Sequence, residues 1–165
     1  MALTDPIRIL ILACGNPLRG DDGVGPWLAA WTSERFHAEP GVRVIASQQW
    51  GPELAEPIAH SESVLFLDSS LQSPPGRVEL VAVEPAAGAE PRLTHQLDAA
   101  RLLALSHHLY GSLPGRALVL TVGVETVALG ERLSDTVRRA IPEACRKIKE
   151  TVLAQIVAQG EVKND

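Results

Sequence analysis

Cysteine is scarce in this chain of 165 residues, which contains only Cys14 and Cys145. Two cysteines so far apart provide neither a disulfide scaffold nor a cysteine zinc cluster. No apolar run approaches the roughly 20 residues that a membrane-spanning helix needs, and the first residues lack the basic segment and cleavage site of a signal peptide. The net charge of −5 argues against the basic surface of a nucleic-acid binder. We therefore expect a cytoplasmic protein with no nucleic-acid partner and no membrane insertion.

The composition indicates an ordinary globular protein. Hydrophobic residues make up 45% of the chain and charged residues 21%, proportions that exclude a disordered chain. A chain of this length corresponds to about one domain and is long enough to bury a core. We expect residues 1–165 to form a single domain.

Five short segments rich in branched apolar residues have the pattern of strands: 7–13, 42–46, 63–67, 77–83 and 117–123. Helical patterns follow Gly23 and cover 52–60, 96–110 and 134–159, although Pro142 should break or kink the last one. The link between the third and fourth strands is too short for a crossover helix, so the fourth should be antiparallel. The pattern predicts an α/β three-layer sandwich: a five-stranded, twisted, mostly parallel sheet with one antiparallel edge strand and helices on both faces.

Polar residues follow the strands where a ligand would bind in such a fold, beyond the carboxyl ends of the strands. Asp21 and Asp22 lie in the loop after the first strand, Asp68 ends the third strand, and His95 precedes a helix. Two carboxylates and an imidazole suit nickel, zinc, iron or manganese and leave a position open for substrate. Taken singly, each has an ordinary interpretation as a helix cap or turn residue. Their shared edge favours a metal-binding site.

Other chemistries fit the sequence less well. The glycine-rich loop lacks the Gly-Lys-Ser/Thr ending of a phosphate-binding P-loop, and its glycines do not follow the dinucleotide pattern. No Gly-x-Ser-x-Gly nucleophile elbow is present. Cys14 is better interpreted as a small buried apolar residue than as a nucleophile.

The first loop, Gly-Asn-Pro-Leu-Arg-Gly-Asp-Asp-Gly-Val-Gly at 15–25, resembles the opening of the hydrogenase maturation endopeptidases (peptidase family M52). These small proteases trim the large subunit of nickel–iron hydrogenases. Similar segments follow in order: Gln-Gln-Trp-Gly-Pro-Glu-Leu-Ala at 48–55, Asp68, Thr-His-Gln-Leu at 94–97, and Gly-Val-Glu at 123–125. The resemblance covers roughly residues 7 to 142.

This resemblance implies a five-stranded sheet flanked by helices, with Asp22, Asp68 and His95 as both catalytic residues and metal ligands. The family often has glutamate at the first of these positions, and Asp22 is one methylene group shorter. Whether Asp22 alone reaches the metal or shares this role with Asp21 stays open at this point. Asp21 is expected to support the loop.

The resemblance also makes Asn16, Asp21 and Gln49 candidates for substrate contact. It implies that the protein removes a short C-terminal extension from the nickel-loaded large-subunit precursor of a nickel–iron hydrogenase. The nickel would belong to the substrate and serve as the recognition element, so a resident metal is not required. Whether nickel or a carboxylate, as in an aspartyl-type enzyme, drives hydrolysis stays open at this point.

Two other functions remain as alternatives. A nickel carrier or chaperone without peptidase activity could use the same three ligands. A receiver-like signalling domain also has acids after its first and third strands, but the lysine expected after the fifth strand is absent from Thr-Val-Gly-Val-Glu at 121–125.

Overall fold

The computed structural model describes residues 6–88 and 98–158. These residues contain five strands and four helices. In chain order they are β1 (Ile9–Cys14), α1 (Val24–Arg35), β2 (Val42–Ser47), α2 (Ala55–Ala59), β3 (Ser63–Ser70), β4 (Val78–Ala82), α3 (Ala99–Tyr110), β5 (Arg116–Gly123) and α4 (Asp135–Val157). Short 3-10 turns, Gly20–Gly23 and Pro52–Leu54, lead into α1 and α2.

The five strands form one mixed sheet in the order β2-β1-β3-β5-β4. The first four strands in this order are parallel to one another. At the edge, β4 is antiparallel to β5, with Leu80 opposite Leu120. The link between β3 and β4 is too short to return the chain to the other end of the sheet, which is why β4 runs the opposite way. The predicted α/β fold with one antiparallel edge strand is confirmed.

Both faces of the sheet are covered, which makes three layers. Successive side chains of β1 point to opposite faces. Ile9 and Ile11 belong to a core cluster that includes residues of α1 and α4, whereas Leu10 and Leu12 belong to a second cluster with residues of α2 and α3. Burial on both faces explains why β1 is a continuous apolar run rather than an alternating one.

The last helix differs from expectation because α4 runs through Pro142 without a break. Proline within a helix removes one backbone hydrogen bond and costs about 3 kcal/mol. Here Val137 lies before the proline and Ala144, Ile148 and Val152 lie after it, all of them fully buried in the core. Burial of this apolar face on both sides of the proline outweighs its local cost.

The sheet topology does not match a receiver-type domain. Those domains have the doubly wound strand order 2-1-3-4-5, whereas here β5 lies next to β3 and β4 is an antiparallel edge strand. Within the described ranges, no helix combines the length and apolar character needed to cross a bilayer. The assignment of all 165 residues to one domain stays a prediction.

Candidate active site

A cavity of about 530 Å³ lies at the carboxyl ends of the first three strands. Its lining comes from the ends of β1, β2 and β3, from the loop before α1 and from the start of α3. The residues that line it are Cys14, Asn16, Arg19, Asp22, Gln48, Gln49, Trp50, Asp68, Asp98 and Arg101. Four residues that the sequence singled out therefore lie around the same space: Asn16, Asp22, Gln49 and Asp68.

Ser69 links Asp22 and Asp68, two of the three carboxylates that line this cavity. Its hydroxyl donates a hydrogen bond to Asp22 Oδ1 (2.9 Å), and its backbone N–H donates to Asp68 Oδ1 (2.8 Å). The other oxygen of Asp22 accepts from the backbone N–H of Asn16 at 2.7 Å. Each oxygen of Asp22 thus has a fixed donor, and Asp22 and Asp68 are held as a pair at the carboxyl edge of the sheet.

The Asp68 carboxyl has a strongly perturbed pKa. Burial raises its pKa to about 6 and the negative charge of Asp22 adds to the increase, while the Ser69 N–H opposes it. A carboxylate that is partly buried beside another acid is electrostatically unfavourable unless a cation or proton neutralises it. The pair is therefore suited to receive a positive charge.

Cys14 lies beside this pair, at the end of β1. Its pKa is raised to about 12, mainly by burial and also by the negative charge of Asp68, and the thiol donates a weak hydrogen bond to the Gln48 carbonyl at 3.4 Å. Only the thiolate is a competent nucleophile, so a protonated Cys14 cannot serve as one at neutral pH. Its packing against the second core cluster agrees with its interpretation as a small apolar residue.

Asp21 has a different role from its neighbour, because its side chain is 0% exposed. Its carboxylate accepts four hydrogen bonds: from the N–H groups of Glu125, Thr126 and Ser134 (2.9, 3.2 and 2.6 Å), and from the Ser134 hydroxyl (2.9 Å). Burial alone would raise the pKa of Asp21, but these bonds outweigh it and lower the pKa. The Asp21 carboxylate fastens the first loop to the segment before α4, which agrees with the supporting role expected of it, and its role as a substrate contact stays a prediction.

Two glycines allow the first loop to pack tightly on the end of β1. Gly15 has a φ of +148°, and a Cβ there would collide with the carbonyl oxygen of Asp22. A Cβ at Gly25 would collide with the carbonyl oxygen of Cys14. The loop can bring Asp22 to the cavity only because both positions lack a side chain.

His95, the third expected ligand, lies outside the described residues. In the part of the chain that is described, no three His, Cys, Asp or Glu side chains come together as a metal site. The ligand roles of Asp22, Asp68 and His95 therefore stay predictions. Of the proposed substrate contacts, Asn16 uses its side-chain oxygen to accept from the Leu18 N–H at 2.9 Å, and Gln49 is exposed at the cavity.

Sequence reasoning assigned no role to several residues that line the cavity or hold its carboxylates. Ser69 follows a predicted ligand directly, which is the signal that could have found it. Arg19 lies within the first loop, and Arg101 lies in the first turn of α3, where Asp98 caps the helix by accepting from the Arg101 N–H at 2.8 Å. Trp50 is buried against Phe66, with ring centroids 5.1 Å apart, and its indole N–H has no hydrogen-bond partner among the described residues.

Comparison with solved structures finds similar chains over most of this length. The hydrogenase 2 maturation peptidase from Thaumarchaeota archaeon SCGC_AB-539-E09 is 27% identical with a TM-score of 0.63, and the match covers 88% of this chain and 97% of that one. The hydrogenase maturating endopeptidase HybD from E. coli is 22% identical with a TM-score of 0.64, over 93% of this chain and 94% of that one. No protein-family model and no curated protein matches the chain.

A third similar structure is the [NiFe] hydrogenase maturation protease HycI from Thermococcus kodakarensis KOD1. It is 23% identical with a TM-score of 0.63, and the match covers 89% of this chain and 93% of that one. The two structures below 25% identity bear on the fold alone.

Fold and site together define a three-layer α/β protein that presents paired carboxylates at the carboxyl edge of a mixed sheet. Within that class, the structural neighbours are hydrogenase maturation proteases. The resemblance to the hydrogenase maturation endopeptidase family, first carried by the loop at 15–25, is confirmed.

Proposed function

We propose that this protein is an endopeptidase of hydrogenase maturation. Its substrate is the large-subunit precursor of a nickel–iron hydrogenase, from which it removes a short C-terminal extension once nickel is in place. The observation that supports this most is the convergence of Asp22 and Asp68 on one open cavity, with Ser69 holding both. The reaction class, peptide-bond hydrolysis, is taken from the maturation peptidase to which this chain is similar.

In this proposal the nickel arrives with the substrate and is recognised as part of it. Carboxylate oxygens of Asp22 and Asp68, with the imidazole of His95, form a donor set that accommodates nickel. The charge pairing is favourable because burial, with the negative charge of Asp22 adding to it, raises the pKa of Asp68, so a cation beside this carboxylate stabilises its ionised form. The hydrogen bonds from Asn16 and Ser69 fix Asp22, so this shorter acid is presented in one orientation.

Hydrolysis then requires a water oxygen to attack the carbonyl carbon of the scissile peptide bond. The C–N bond breaks and both protons of the water pass to the leaving nitrogen, so the products are a carboxylate at the new C-terminus and a protonated amine. Of the three carboxylates that line the cavity, Asp98 caps α3, and Asp22 and Asp68 can accept the proton in transit. Gln49, Arg19 and Arg101 line the same cavity and supply N–H donors for carbonyl groups of the bound peptide. We place this activity in the cytoplasm.

The proposal is tested by intact-mass spectrometry of the purified precursor, nickel-loaded and nickel-free, after incubation with the protein. Wild type is compared with Asp22→Asn, Asp68→Asn and His95→Ala. Glu150→Gln is the matched control, because it makes the same carboxylate-to-amide change on α4 at a side chain that is 62% exposed. The precursor is first shown to be processed by an extract of its own cells.

We expect the wild type and Glu150→Gln to release a C-terminal peptide only from the nickel-loaded precursor, and the three site variants to release none. Cleavage by Asp68→Asn at the wild-type rate would show that the site is assigned wrongly. If a competent precursor stays intact with wild type, the endopeptidase proposal fails. Tight nickel binding by the isolated protein would then indicate a carrier function.

A further inference from the structure

The cavity is too small to account for recognition of a whole protein. A volume of about 530 Å³ lies in the range of sites for small ligands. Specific protein complexes bury about 800 Å² on each partner. If the substrate is a protein, as the proposed function requires, its contacts must extend over the surface around the cavity.

Two exposed leucines lie on that surface. Arg19 lines the cavity and forms a parallel β-bridge with Gly130. This bridge sets Leu18, just before Arg19, beside Leu129, just before Gly130, and the Gly130 N–H donates to the Leu18 carbonyl at 2.9 Å. The side chains of Leu18 and Leu129 are 53% and 90% exposed. We call this pair the leucine rim.

The segment that carries Leu129 is held firmly although Leu129 itself is in solvent. The Asp21 N–H donates to the Thr126 carbonyl (2.9 Å), the Gly20 N–H donates to the Gly130 carbonyl (2.7 Å), and Arg19 Nε donates to the Val127 carbonyl (3.3 Å). The buried Asp21 carboxylate adds the bonds already described. A segment whose backbone is already fixed loses less conformational freedom on binding than a free loop does, so this arrangement favours an interaction surface.

We propose that the leucine rim is the docking surface for the folded body of the precursor, next to the segment that enters the cavity. The rim adjoins the cavity through Arg19, which lines the cavity and pairs with Gly130, so it lies on the surface that surrounds a peptide bound at Asp22. A second copy of this chain is a poor occupant, because a protomer seated there would obstruct the cavity. The apolar character of the rim calls for apolar side chains on the precursor beside its cleavage segment.

The test uses Leu18→Asp and Leu129→Asp, with Val157→Asp as the matched control. Val157 is 62% exposed and lies at the last residue of α4, which runs back from the carboxyl edge of the sheet. Binding of immobilised precursor is measured by biolayer interferometry, cleavage is measured as separate kcat and KM, and thermal unfolding reports on the fold. Sedimentation velocity gives the oligomeric state.

We expect both rim variants to weaken precursor binding and to raise KM at least tenfold. Their kcat should stay within about twofold of the wild-type value, and their Tm within about 2 °C. Val157→Asp should match wild type. Equal binding by Leu129→Asp and wild type, or no binding by wild type, would overturn the inference. So would a wild-type dimer that Leu129→Asp converts to monomer. Rim-dependent binding without any cleavage would support the inference and contradict the proposed endopeptidase, so the two can fail separately.

Discussion

Replacing Asp68 with asparagine removes a negative charge that destabilises the folded protein. The pKa of Asp68 is raised from 3.8 to about 6, which corresponds to about 3 kcal/mol of unfavourable free energy for the ionised form. Because the side chain is partly exposed and loses a charged acceptor for the Ser69 N–H, we expect only about 1–2 kcal/mol to be recovered. Asp68→Asn should therefore raise the free energy of unfolding at pH 7.5 by about that amount.

The pH dependence of this gain follows from the direction of the pKa shift. The folded protein binds a proton at Asp68 more tightly than the unfolded chain does, so Asp68 imposes no penalty below about pH 4, where both states are protonated. The penalty develops as the pH rises from about 4 to about 6, where Asp68 is ionised in the unfolded chain and still protonated in the folded protein, and it is complete above that range. The stability difference between Asp68→Asn and wild type should therefore be about a third of its full size at pH 4.5, close to complete at pH 6 and largest at pH 7.5.

Urea unfolding followed by far-UV circular dichroism, with chelator present, measures this difference at pH 4.5, 6 and 7.5. The slope with urea should be the same for both proteins, so that midpoints report stability. Glu150→Gln, on an exposed helix face, should show no such pH-dependent difference. A variant that is less stable than wild type at pH 7.5, or a gain that is equal at all three pH values, would refute the assignment of Asp68 as a functionally retained, destabilising charge.

The first loop provides the remaining predictions. Asp21→Asn should lower the free energy of unfolding by about 2–4 kcal/mol, because the amide NH₂ would face N–H donors inside the protein. Urea unfolding measures this loss. Since the pKa of Asp21 is lowered in the folded state, wild type should also lose this contribution as the pH falls below about 4; an Asp21→Asn midpoint equal to wild type would contradict the buried network. Gly15→Ala should lower Tm and abolish cleavage, since φ +148° and the Asp22 carbonyl leave no room for a methyl group; normal activity in Gly15→Ala would show that the loop is set differently.

Much of the fold could be predicted because strands and helices follow from local patterns. The continuous apolar run of β1 indicated a strand buried on both faces, and the short link after β3 indicated an antiparallel edge strand. Pro142 shows where local reasoning fails. The cost of proline in a helix is a local quantity, but the burial that outweighs it comes from the sheet packed against both halves of α4.

Part of the candidate site could also be predicted. Asp22 and Asp68 follow the first and third strands, and the carboxyl ends of neighbouring parallel strands meet at one edge, so their meeting in one cavity follows from topology. The same argument could not distinguish Asp21 from Asp22, because adjacent residues of a turn point in different directions. The segment at 125–134 makes the difference, because it supplies the four hydrogen-bond donors that stabilise the Asp21 carboxylate in the protein interior.

The sequence by itself determined the strand and helix pattern, the edge at which chemistry would lie, and the resemblance to the hydrogenase maturation endopeptidases, since each of these depends on residue types and order. Only the tertiary structure decided that Ser69 links Asp22 and Asp68, that Asp21 is a buried anchor, and that the exposed Leu18 and Leu129 lie on two segments joined by the Arg19–Gly130 bridge. The reason is physical. Hydrogen bonds and exposure depend on distances between segments more than 40 residues apart in the chain, and those distances exist only once the sheet has brought the segments together.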